Sequence, residues 1–154
     1  MKRILLLLSS VLSLPALADR LPLPADTPPA YREECGSCHL AYPPALLAAE
    51  DWRKLLGSLD RHFGSDATLD PKNAALLTAF LNSHAGQASR LGKQNGNPPR
   101  ITQTGRFIRK HHEVPARFWR DARIKSAANC EACHRGAANG HFGEHDIAIP
   151  ELRE

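Results

Sequence analysis

The chain of 154 residues contains a single methionine, Met1. Once that residue is lost, a thioether ligand is excluded from any metal site in the protein. A strong charge of one sign is also lacking. Lys and Arg number 20 against 16 Asp and Glu, and no basic cluster is interleaved with aromatics, which argues against a nucleic-acid binder. Tyrosine and tryptophan number two each. Long apolar runs are missing: the longest, Ile4 to Leu14, has about eleven residues, where a bilayer span needs roughly 20. Against these shortages stand eight histidines and four cysteines. A soluble domain has no general packing need for eight histidines, so some of them bind something.

The apolar run follows Lys2 and Arg3 and ends in Ala16-Leu17-Ala18, the small-x-small pattern of a signal-peptidase site. Residues 1–18 therefore read as a signal peptide cleaved after Ala18, which implies a periplasmic, soluble mature chain. Asp19 to Glu154 leaves 136 residues, enough for one domain. Losing Lys2 and Arg3 takes the formal net charge from +4 to +2.

All four cysteines lie in two copies of one pattern, Cys35-Gly36-Ser37-Cys38-His39 and Cys130-Glu131-Ala132-Cys133-His134. C-x-x-C-H is the attachment motif of c-type haem. The two thiols form thioethers to the haem vinyl groups, and the following histidine is held under the iron as proximal ligand. A four-cysteine zinc site needs no histidine after each pair, and exposed free thiols oxidise in an exported protein. The pattern thus predicts two covalent haems c, held by Cys35, Cys38, Cys130 and Cys133, with His39 and His134 on the irons. Two haems in 136 residues leave 68 residues per haem. So little protein makes the porphyrins themselves much of the core, and the apoprotein is expected to be largely unfolded.

The expected fold is all-α and small, with short helices and long loops around the haems. Residues 19–85 form one haem-binding half and 101–154 the other. The Gly-, Asn-, Gln- and Pro-rich segment 86–100 reads as the linker between them. A helix over 28–38 leads into the first motif. A second, over 44–63, opens at Pro43-Pro44, carries Trp52, Leu55, Leu56, Leu59 and Phe63 at helical spacing, and stops at Gly64. Asp70-Pro71 caps and starts a third, running to His84. A fourth covers 104–113 with Thr104 as cap, a turn surrounds Phe118 and Trp119, and Asn129 caps the second motif. No strand pattern is present.

With methionine gone, each sixth iron position is filled by His or Lys, or left open. Six histidines remain: His62, His84, His111, His112, His141 and His145, of which at least two must be surface residues. His62 shares the apolar face of Leu55 and Leu59 and lies 23 residues after His39. His84 shares the face of Leu77 and Phe80 and is its rival. On a helical wheel with Phe107 at 0°, Ile108 falls at about 100°, His111 at about 40° and His112 at about 140°. His111 therefore points between two apolar residues, whereas His112 sits beside Arg109 and Arg106. His111 also lies 23 residues before His134. His141 and His145 follow their own haem motif too closely to reach over it, and read as surface residues.

At these residues the chain resembles the bacterial dihaem cytochrome c family of small periplasmic electron-transfer proteins. The stretches that carry the resemblance are CGSCHLAYPPALL, DWRKLLGSLDRHFGSDATLD, RITQTGRFIRKHHEVP and SAANCEACHRGA. The resemblance implies bis-histidine haems with His62 and His111 as the distal ligands. It also implies electron exchange with other redox proteins, a small c-type cytochrome and a membrane b-type cytochrome among them. His112 beside His111 departs from the expected pattern. The competing classes are a small dihaem peroxidase or nitrite reductase with one haem open, and a haem sensor. The leading expectation is an electron carrier rather than an enzyme. Without methionine both potentials are expected to be low. Asp60 and Asp66 near His62, against Arg109 and Lys110 before His111, give the second haem the higher one.

Overall fold

The computed structural model describes residues 19–148. The segment read as a signal peptide lies outside the described residues, as do residues 149–154. Five α-helices are present among the described residues: α1 (Pro29–Cys35), α2 (Ala49–Leu56), α3 (Pro71–His84), α4 (Ala88–Leu91) and α5 (Gly105–Lys110). Short 3-10 turns join them, and among the described residues the only β pairings are isolated bridges. The fold is all-α.

α3 forms as its sequence predicts. The Asp70 carboxylate accepts from the backbone N–H of Lys72 at 2.9 Å and of Asn73 at 3.1 Å, and Pro71 occupies the first helical position, where no amide donor is needed. Its inner face buries Leu77, Phe80 and Leu81. α2 packs against that face through Trp52 and Leu55, and Tyr31 of α1 closes the cluster with its ring 5.0 Å from that of Phe80. The Trp52 indole N–H donates to the Pro44 carbonyl at 2.8 Å, so the buried ring leaves no unpaired donor.

The single helix expected over 44–63 is broken into a 3-10 turn at Pro44–Leu46, α2, and a second 3-10 turn at Leu59–Arg61. Leu47 is extended at φ −132°, which turns its side chain into the core and lets its carbonyl accept from Gly86 N–H at 2.8 Å. Gly57 then caps α2, its N–H returning to Arg53 O. α1 likewise stops at Cys35 and α5 at Lys110, both short of the predicted ends.

The buried cluster of seven apolar side chains, Tyr31 to Leu81, lies wholly in the first half. Beyond α3 the buried apolar side chains are scattered: Leu91, Ile124 and Ala137. Each fully buried side chain of this type stabilises by about 1.5–3 kcal/mol. The first half therefore has a protein core of its own, which the count of residues per haem did not suggest. Among the described residues the second half does not.

Segment 86–100 contains α4, and it is tied to α5 by Gly105 N–H donating to Lys93 O at 2.9 Å. The start of the described chain is laid across the far end of the second half. Leu21 N–H donates to Gly140 O at 2.8 Å and Phe142 N–H to Asp19 O at 3.1 Å. Gly140 has φ +76°, and a Cβ there would stand 2.3 Å from Pro22 N, so this crossing requires glycine.

Candidate functional site

α1 delivers the first C-x-x-C-H segment. The helix ends at Cys35, and Gly36 caps it with its N–H on Arg32 O. His39 follows, its Nδ1–H donating to Leu40 O at 2.8 Å. That bond fixes the proton on Nδ1 and leaves Nε2 as a bare lone pair. Tyr42 stacks on the His39 ring, 4.8 Å between centres and 28° between planes.

His62 faces this motif from a turn, not from the helix face that the spacing predicts. Its N–H closes the Leu59–Arg61 turn on Leu59 O, and its carbonyl accepts from Ser65 N–H at 3.1 Å. Phe63 at φ +50° and Gly64 at φ +98° complete the reversal. A bulky residue in the left-handed region is uncommon and marks a constrained site. Arg100 covers the Phe63 ring at 3.9 Å. The result is a His39–His62 ring separation of 6.2 Å.

In the second half, Cys130–Ala132 form a 3-10 turn and His134 N–H returns to Cys130 O at 2.8 Å. Asn129 stands at the cap position, but its amide donates to Ile124 O at 3.0 Å instead of capping the turn. Thr104 does cap α5, its hydroxyl oxygen accepting from Phe107 N–H at 3.1 Å. His111 is the residue just past that helix. Its Nδ1–H donates to Phe107 O at 2.9 Å, and its ring lies 6.1 Å from both Trp119 and His134. His112 bonds Arg109 O at 2.9 Å, and its side chain is 69% exposed. Asp19, Leu21, Phe107, His111, Cys133 and His134 are among the walls of an open, mainly apolar cleft. A second cleft, beside Cys38 and His39, is also walled by Glu131 and Ala138, so the two motif segments adjoin.

The donor set fits two haems. Two facing imidazoles that would share one ion, with about 2 Å from each ring nitrogen to it and roughly 1 Å from nitrogen to ring centre, would have centres about 6 Å apart. Both pairs have that spacing. Each pair also has one member, His62 or His134, whose Nδ1 is buried without a partner. An unmet buried polar atom of this kind costs about 1–3 kcal/mol, and an iron held at Nε2 would leave it unmet. Burial, then the facing His39 and Arg100, lower the pKa of His62. Burial, then His111, lower that of His134, against an upward pull from Asp146 and Asp19. The neutral imidazole favoured in this way is the form that ligates metal. Burial pushes the Cys35 and Cys130 thiols up to about 11. A dithiol redox centre lowers its thiol pKa, so these environments disfavour that use of C-x-x-C.

Two of the remaining histidines, His84 and His141, are otherwise engaged. His84 Nε2 meets Asp26 Oδ2 at 2.9 Å and its ring leans on Phe80. His145 is exposed. His141 is half-buried, between Arg20 at 3.3 Å and Asp146 at 3.8 Å, where it helps hold the start of the described chain.

Charges from outside the sequence neighbourhood also bear on the sites. Arg100, from outside the first motif, acts on His62, and Asp19 and Asp146 act on His134. Of the two cations expected beside His111, Lys110 is paired with Asp19 at 3.1 Å.

A family profile described as dihaem cytochrome c matches residues 31–142. The chain belongs to the dihaem cytochrome c family. Among solved structures it is similar to the dihaem cytochrome c of Shewanella baltica, at 40% identity and TM-score 0.70, over 80% of this chain and 93% of that one. It is also similar to the dihaem cytochrome c of Rhodobacter sphaeroides, at 39% identity and TM-score 0.67, over 79% of this chain and 99% of that one. No curated protein matches the chain. Family membership brings two haem c groups and a haem-binding, electron-transfer role, in agreement with the four cysteines. Among the described residues no helix of this dihaem cytochrome is long and apolar enough to cross a membrane.

Proposed function

We propose that the protein carries single electrons between other redox proteins and is not an enzyme, with both irons closed by two histidines: His39 with His62, and His134 with His111. The observation that carries this reading is the pair of ring separations, 6.2 Å and 6.1 Å. When bound, the haem iron supplies reversible one-electron ferric–ferrous chemistry.

Cys35, Cys38, Cys130 and Cys133 anchor the groups so that they are not lost on reduction. Nδ1–H bonds from His39 and His111 to backbone carbonyls hold those rings in the ligating tautomer. Paired imidazoles leave no position for a substrate, which separates a carrier from a peroxidase or nitrite reductase. A second imidazole in place of a thioether also keeps the potential low.

The signal-like segment 1–18, ending at Ala18, supports export to the periplasm. The partners that fit are a small c-type cytochrome and a membrane b-type cytochrome, which exchange electrons without entering a pocket. The test is a reductive titration of the purified holoprotein with and without carbon monoxide. Two electrons are expected per chain, at potentials below those of Met/His cytochromes, with no carbon monoxide complex. A carbon monoxide complex at either haem would mean an open site and would favour the enzyme reading.

A further inference from the structure

Tyr42 touches both haem-binding segments. Its ring stacks on His39, 4.8 Å away. Its hydroxyl donates to the Ala128 carbonyl at 2.6 Å, across a sequence separation of 86 residues. Ala128 stands two residues before Cys130, and its carbonyl oxygen is 3.7 Å from the Cys130 sulfur. A continuous set of contacts therefore runs from the iron-ligating ring of the first site to an attachment sulfur of the second.

The sequence builds this bridge rigidly. Pro43 follows Tyr42 and restricts it to extended conformations. The buried Tyr31 hydroxyl donates to the Tyr42 carbonyl, which anchors the bridge in the core of the first half. Glu131 and Ala138 beside Cys38 and His39 independently put the second motif against the first.

We propose that Tyr42 is the coupling residue for electron exchange between the two haems, through its ring stack on His39 and its hydrogen bond to Ala128. This rests on the two-haem carrier reading above. In each exchange one electron leaves a ferrous site, which becomes ferric, and reaches a ferric site, which becomes ferrous. Tyr42 is neither oxidised nor deprotonated; it supplies the contact.

The experiment uses half-reduced holoprotein, with inter-haem relaxation followed after flash reduction and corrected for any change in the two midpoint potentials. Tyr42→Phe keeps the ring and removes the hydrogen bond; Tyr42→Leu removes both contacts. Both variants are expected to load two low-spin haems. Exchange is expected to slow in Tyr42→Phe and to slow further in Tyr42→Leu. Wild-type exchange in Tyr42→Phe overturns the proposal, and this conservative variant decides the matter if Tyr42→Leu fails to fold. A wild-type protein that binds carbon monoxide is a separate result, which counts against the carrier reading itself.

Discussion

The His111 ring lies flat on the Phe107 ring, 3.9 Å between centres and 16° between planes. The same Phe107 supplies the carbonyl that holds His111 Nδ1. One residue thus fixes both the plane and the tautomer of the ring that faces His134. Aromatic pairs of this kind contribute about 0.5–1.5 kcal/mol beyond their buried area. Phe107→Ala is expected to loosen His111 and give a partly high-spin second haem, seen in the ferric absorption spectrum, with the first haem unchanged. A spectrum identical to wild type would show that the stack does not hold the ligand.

His111→Ala is expected to open the second haem to carbon monoxide, while His112→Ala leaves both haems closed. The measurement is the reduced-plus-carbon-monoxide difference spectrum. The reverse result would move the ligand to His112, whose ring sits on Arg109 O in the exposed turn.

At the first haem, His62→Ala is expected to open the iron and His84→Ala to leave it closed. His84→Ala has a second readout. The Asp26 carboxyl is held below its usual range first by its hydrogen bond to His84. A depressed carboxyl pKa stabilises the fold above the unfolded value and loses that effect as the pH falls through the folded value. Without His84 the Asp26 titration followed by NMR should rise to the ordinary range. A high-spin first haem in His84→Ala would contradict the His62 assignment.

Arg100 lies close enough to His62 to lower its pKa, and positive charge beside an iron favours the ferrous state. The first haem is therefore expected to have the higher potential, reversing the order inferred from sequence neighbours. Arg100→Gln should lower the first midpoint by on the order of tens of millivolts and leave the second in place. A redox titration that moves the second midpoint instead would contradict this.

Much of this was legible in the sequence, and the failures have physical causes. Asp70-Pro71 announced α3 because a cap and a fixed φ are local properties. The two C-x-x-C-H segments announced their cofactor for the same reason. His62 was singled out as part of a helix face, but α2 ends at Leu56. Gly57 and the left-handed Phe63 bring His62 round instead, and periodicity carries no signal for such a turn. Tyr42 was passed over, because its partner Ala128 is 86 residues away and contributes only a backbone carbonyl. The uneven core was equally hidden: composition gives the amount of apolar surface, not the half in which it gathers.

That unevenness changes the expectation for haem loss. Cys130→Ala/Cys133→Ala is expected to leave residues 29–84 protected, with proteolysis confined to the second half, because the seven-residue core lies in the first. Cleavage spread evenly over both halves would show that the haems hold the whole chain together.

Closure of both irons by paired imidazoles is read out by electron paramagnetic resonance of the fully oxidised holoprotein. All of the ferric iron, two per chain, is expected in low-spin signals. A high-spin ferric signal from either haem in the wild-type protein would contradict it.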